Sequence, residues 1–225
     1  MNTKILTTHV GSLPRSKALS ELLFAKDKGD SFSENEFDDV VKQNVSDIVK
    51  KQLDIGIDFV SDGEMSKISY ATYVKDRING FSGESERRAP ADLDAFPEYK
   101  DKIAKSGGTP TYTRPCCTGE LSIKNNDDLL KDINNLSSAL SANNHTKGFM
   151  NAASPGVINV FLPNKFYKND DEYLSKLSVI MAEEYQQITS NNLFLQVDCP
   201  DLALSLIHIS EPTRLRRISY AVFCL

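Results

Sequence analysis

Apolar residues recur along this chain with two different periods, and their alternation predicts an order of elements. Phe37, Val40, Val41, Val45, Ile48, Val49 and Leu53 recur at helical spacing, and Ser33 with Glu36 forms a capping box before them. The spacing predicts an amphipathic helix over residues 34–53, stopped by Gly56. A second stripe, Tyr173, Leu174, Leu177, Ile180, Met181, Tyr185 and Ile188, predicts a helix over residues 170–190. Leu129, Leu130, Ile133, Leu136 and Leu140 predict another over 127–140. Further helices are expected over 16–28, over 69–78 and, as a short one, after Ser154-Pro155-Gly156. Between them lie β-prone runs at 5–8, 58–61, 109–113, 148–153 and 193–197. The stretch 80–97 is rich in Gly, Pro and charge and reads as a long loop.

Strand followed by helix, repeated about five times, implies a parallel sheet with right-handed crossovers. Polar residues and glycines gather where the strands end: Gly11-Ser12, Asp62-Gly63-Glu64, Ser154-Pro155-Gly156 and Asp198. In a (β/α) barrel such ends line one mouth, where chemistry sits. A complete barrel has eight strands and about 250 residues, so five strands by residue 203 amount to about five βα units of a (β/α)8 TIM barrel. A five-stranded doubly wound sheet is the competing architecture. Against it, Gly11 stands alone after the first strand, with no Gly-rich phosphate fingerprint around it.

Composition changes this picture in one place. Forty per cent apolar and 25% charged residues describe an ordinary globular protein. No apolar run approaches the ~18 residues of a membrane helix, and the first residues do not read as a secretion signal. A net charge of -5 argues against a nucleic-acid or anionic-membrane partner. The segment 204–225 differs from the rest. Leu204 to Arg214 resembles translated transposase-type sequencing adaptor, and Ile218 to Leu225 resembles translated flow-cell adaptor, so residues 204–225 are expected to be a non-native tail. A native basic tail is the alternative. Without it, Cys116, Cys117 and Cys199 remain; three scattered cysteines are no disulfide framework, lack zinc-ribbon spacing and suggest a reducing, cytoplasmic setting.

The strand-end motifs carry a family resemblance. Thr7-Thr8-His9-Val10-Gly11-Ser12-Leu13-Pro14-Arg15, Asp62-Gly63-Glu64, Ala152-Ala153-Ser154-Pro155-Gly156 and Gln196-Val197-Asp198-Cys199-Pro200-Asp201-Leu202 occur in order over roughly residues 3–203. Together they resemble the stand-alone relatives of the catalytic domain of cobalamin-independent methionine synthase. The resemblance implies a (β/α)8 barrel and zinc-dependent methyl transfer from methyltetrahydrofolate to the thiol of homocysteine. It implies substrate-binding roles for His9, Val10, Gly11, Ser12, Glu64 and Asp198, with Phe161 near the place of a pterin-bordering tryptophan. Two carboxylates facing an α-ammonium make chemical sense as charge-assisted hydrogen-bond acceptors, and Gly11 permits close approach of a ligand.

Other family features are not matched. The Arg-Cys pair on the folate side would fall near Thr111 and Tyr112. The zinc ligands, a His-x-Cys pair, a Glu and a further Cys, belong to later strands than this chain holds before residue 204, so no metal ligand is expected here. The chain as given is then expected to be an inactive fragment. Alternatives are a relative that alkylates another thiol from an epoxide-like donor, and a binding module without chemistry. Arg15 and Lys67 are expected on the solvated surface, with binding of an anionic substrate group as the alternative; His145 is expected to be exposed, and the cysteines are expected to pack structurally.

Overall fold

A computed structural model describes residues 4–85, 95–99, 102 and 112–202. In chain order the elements are α1 (Lys17–Lys28), α2 (Glu34–Asp54), β1 (Val60–Ser61), a 3-10 turn (Tyr73–Asp76), β2 (Ile78–Ser82), β3 (Cys116–Ile123), α3 (Asp127–Ala142), β4 (Gly148–Ala153), α4 (Pro155–Phe161), α5 (Asp170–Ser190) and β5 (Phe194–Asp198). The 204–225 tail lies outside the described residues.

Local chemistry explains the helices. The Ser33 hydroxyl accepts the Glu36 backbone N–H at 3.3 Å, which starts α2 where the capping box predicted. Ser16, Ser154 and Asn169 cap α1, α4 and α5 in the same way. The predicted apolar stripe of α2 is its buried face, with Val49 and Val45 almost wholly enclosed.

The strands β1, β4 and β5 pair in parallel in that order. Thr8 adds a parallel bridge to Phe59 on the free side of β1. Four parallel segments in sequence order, with helices on the outer face, form part of a (β/α)8 barrel wall. That outer face presents Val60, Met150 and Ala152 to α1, α2 and α3 as one apolar core. Each large side chain fully buried there contributes about 1.5–3 kcal/mol.

Three expectations change. The 109–113 run is not a third wall strand, because β1 pairs directly with β4; Thr113 is loop, and residues 109–111 lie outside the described residues. The helix expected over 69–78 is one short 3-10 turn, and the loop expected over 80–97 begins inside a strand, with residues 86–94 outside the described residues. In their place stands an antiparallel ribbon of β2 and β3. Its register shifts between Asn79 and Phe81 around Gly80, whose φ is +100°. A Cβ there would meet the Glu120 and Gly119 carbonyl oxygens at 2.8 Å, so only glycine fits this bulge. Cys117 and Leu121 of the ribbon pack with Val157 of α4, Leu162 just after it, and Tyr173 and Leu177 of α5 in a second core.

Candidate active site

Side chains of the wall alternate between the two faces. Register places Phe149 beside Phe194, Asn151 beside Gln196 and Ala153 beside Asp198. The inner face therefore has layers. At its lower end Leu6, Thr8, Phe59, Phe149 and Phe194 line an open cavity of about 300 Å³. Two residues further along each strand the layer turns polar, and the loop after β1 brings Glu64 to it.

The predicted residues meet here. Ser12 Oγ donates to Glu64 Oε2 at 2.5 Å. Asn151 Nδ2 donates to Glu64 Oε1 at 2.5 Å and to Asp198 Oδ2 at 3.0 Å. Gln196 Nε2 donates to Asp198 Oδ1 at 2.8 Å. Glu64 is 2% exposed, so its carboxylate relies on these donors rather than on bulk water. Its φ is +56°, an uncommon conformation for a side chain of this size. The turn that enforces it is over-determined: Asp62 Oδ1 accepts the Glu64 N–H, and Leu13 N–H donates to the Gly63 carbonyl.

Gly11 has φ +80° with nothing within 4 Å of a built Cβ, so the face above it is open. Val10 is exposed and His9 half-buried on the same segment. Phe161 ends α4, with the Arg114 guanidinium 4.5 Å over its ring.

Arg15 and Lys67 are not surface residues. Arg15 is half-buried and donates to the carbonyls of Glu64 and Lys67 at 2.7 and 2.8 Å, which pins the turn. Burial lowers its pKa, against the pull of Glu64 and Asp62. Lys67 is 3% exposed and donates to the Asn151 carbonyl at 3.2 Å. Burial works against its ammonium, but Asp62, Asp132, Glu184 and Glu64 outweigh that and hold its pKa above the ordinary value. Behind it, Asp132 accepts from Ser66 at 2.7 Å and Tyr73 at 2.6 Å, and burial raises its pKa to about 6. Arg77 pairs with Glu184 and stacks on the Tyr73 ring. His145, expected to be exposed, is half-buried and bonded to the Asp58 carbonyl.

Asn151, Gln196 and Tyr70 were not singled out from the sequence. A lone asparagine within the apolar run Gly148-Phe149-Met150-Asn151-Ala152-Ala153 was the available signal. Tyr70 had none. Burial raises the pKa of its phenol, and the nearby charges of Asp198 and Glu64 raise it further. Among the described residues no group of three or more His, Cys, Asp or Glu side chains could hold a metal ion. Cys116 and Cys117 are buried in the ribbon and Cys199 is half-buried, all as free thiols.

The family described as cobalamin-independent synthase, catalytic domain, matches residues 5–124, more than half of the chain. The chain belongs to the cobalamin-independent methionine synthase catalytic-domain family. A methionine synthase of Sulfolobus acidocaldarius is 23% identical over 223 residues, 98% of this chain and 56% of that protein. A 5-methyltetrahydropteroyltriglutamate–homocysteine methyltransferase of Bifidobacterium animalis is 31% identical over 75 residues, 33% of this chain and 10% of that one. The fold is similar to a B12-independent methionine synthase of a Shewanella species solved with selenomethionine. That likeness has a TM-score of 0.62 at 20% identity, over 86% of this chain and 51% of that one. This member of the cobalamin-independent synthase family thus spans about half the length of its longest-matching relatives. Among its described residues no helix is long and apolar enough to cross a membrane.

Proposed function

We propose that the polar layer of this barrel wall is the acceptor half of a methyltransferase site, binding homocysteine by its α-ammonium. The observation that carries the reading is the joining of Glu64 and Asp198 through one amide, with Ser12 on the outer oxygen of Glu64. Two carboxylates in one layer, Glu64 buried and Asp198 half-buried, each supplied with neutral donors, form a receptor for a single cation. The open face above Gly11 leaves room for the ligand backbone.

In the complete reaction the methyl donor is methyltetrahydrofolate, the product is methionine, and the setting is the cytoplasm. Zinc is the metal the family implies, supplying a thiolate from the acceptor thiol. The described residues offer no donor set for it, and no step is drawn through it. What this chain's own residues do is bind and orient: Glu64 and Asp198 fix the ammonium end, and Ser12 and Gln196 fix the carboxylates. We also propose that residues 204–225 are adaptor-derived; resequencing the transcript and finding an uninterrupted native exon there would overturn it.

Titration calorimetry of L-homocysteine and L-methionine into the chain tests the binding reading. Binding of both is expected, since the proposed contacts are to the shared amino-acid end. If neither binds while the protein unfolds cooperatively, the acceptor site is not here.

A further inference from the structure

We infer that Asn151 is the specificity-determining residue of this site, the part that makes two carboxylates into a receptor for one α-ammonium. The inference rests on the amino-acid reading above and names the group that sets its selectivity.

Asn151 sits in β4, the strand between β1 and β5, and is 3% exposed. Its amide nitrogen is the common donor to Glu64 Oε1 and Asp198 Oδ2. An amide NH2 has two hydrogens, and here each serves a different carboxylate. Its backbone carbonyl is held from behind by the buried Lys67 ammonium. The residue is therefore fixed at both ends, and it fixes the separation of the two anions. Ser12 and Gln196 occupy the other carboxylate oxygens. Every oxygen already has one neutral donor, and what the site lacks is a positive charge in front of it.

Glu64, on the loop after β1, and Asp198, at the end of β5, lie on either side of the β4 amide, and without that shared donor nothing holds their oxygens at one separation. A pair no longer held at that separation loses its preference for a single cation. The neighbouring groups cannot replace the amide. The Lys67 ammonium is engaged by the Asn151 carbonyl and the Tyr73 ring, and Arg15 donates to backbone carbonyls. Tyr70 and Asp62 add neutral or negative character on the same side.

The test compares L-methionine with 4-(methylthio)butanoate, which lacks only the amino group, by titration calorimetry at pH 6 and pH 8. The variants are Asn151→Leu, close in volume but without donors, and Asn151→Ala as a second variant in case leucine perturbs folding. Thermal melts check each protein. Wild type should prefer methionine at both pH values. The variants should lose roughly tenfold or more of that preference at each. A merely structural role would lower both ligands together, and that result overturns the inference. So does an unchanged preference in folded variants. If wild type itself binds both ligands equally, or neither, the amino-acid reading has failed and the role of Asn151 falls with it.

Discussion

The inner face of one short parallel sheet carries two opposite environments. At its lower end Phe59, Phe149 and Phe194 make an aromatic floor, with Phe59 and Phe194 edge-to-face at 5.1 Å. Two residues up the same strands, Asn151 and Gln196 bridge and hold carboxylates. The backbone is the same and the face is the same. The difference shows that chemistry in this wall changes with height along the strand: the floor is apolar packing surface, while the upper layer holds two carboxylates in hydrogen bonds.

If the comparison is right, the two layers should answer separately to substitution. The largest effect is expected from Phe149→Ala, which opens a cavity in the floor. Urea unfolding should show a loss of about 3 kcal/mol with methionine affinity nearly unchanged. Next, Glu64→Gln keeps shape and hydrogen-bonding capacity but removes a charge from the upper layer. Methionine affinity should fall roughly a hundredfold while stability changes by less than about 1 kcal/mol. Equal effects of both variants on stability and affinity would dissolve the distinction between layers.

The third prediction concerns the charges behind the upper layer. Asp132 has its pKa raised to about 6 by burial, against about 3.9 in an unfolded chain. The folded state thus holds this proton more tightly than the unfolded state. Its contribution to stability is full below about pH 4 and is lost as pH rises to about 6. Relative to Asp132→Asn, wild type should lose about 2 kcal/mol between pH 4 and pH 7 in urea unfolding. A constant gap would mean that Asp132 stays ionised. The smallest effect is expected at Phe194, which is 56% exposed on the open floor. Phe194→Ser should cost less than about 1 kcal/mol and should reduce binding of an apolar dye to the floor.

The sequence made much of this legible. Helices α2, α3 and α5 follow their apolar stripes, except that Leu130 of α3 is exposed, because 3.6-residue periodicity and capping are local properties. Ser12, Glu64 and Asp198 were legible as strand-end polar residues; Ser12 bonds Glu64 directly, and Asn151 links Glu64 to Asp198. The ribbon was not legible. It joins residues near 80 to residues near 120, and its decisive residue is Gly80, read from the sequence only as a loop signal. Phe161, expected to border a substrate, carries the Arg114 guanidinium over its ring.

By itself, then, the sequence determined the long helices α2, α3 and α5 and marked the polar residues at the ends of the wall strands. Tertiary structure decided what those carboxylates face. It buried Lys67 and half-buried Arg15, which a sequence scan places in solvent, because charge burial depends on partners far along the chain, such as Asp132 and Glu184 for Lys67. It turned a single asparagine in an apolar strand into the bridge between Glu64 and Asp198, since only parallel pairing of β4 with β5 brings those side chains to one height.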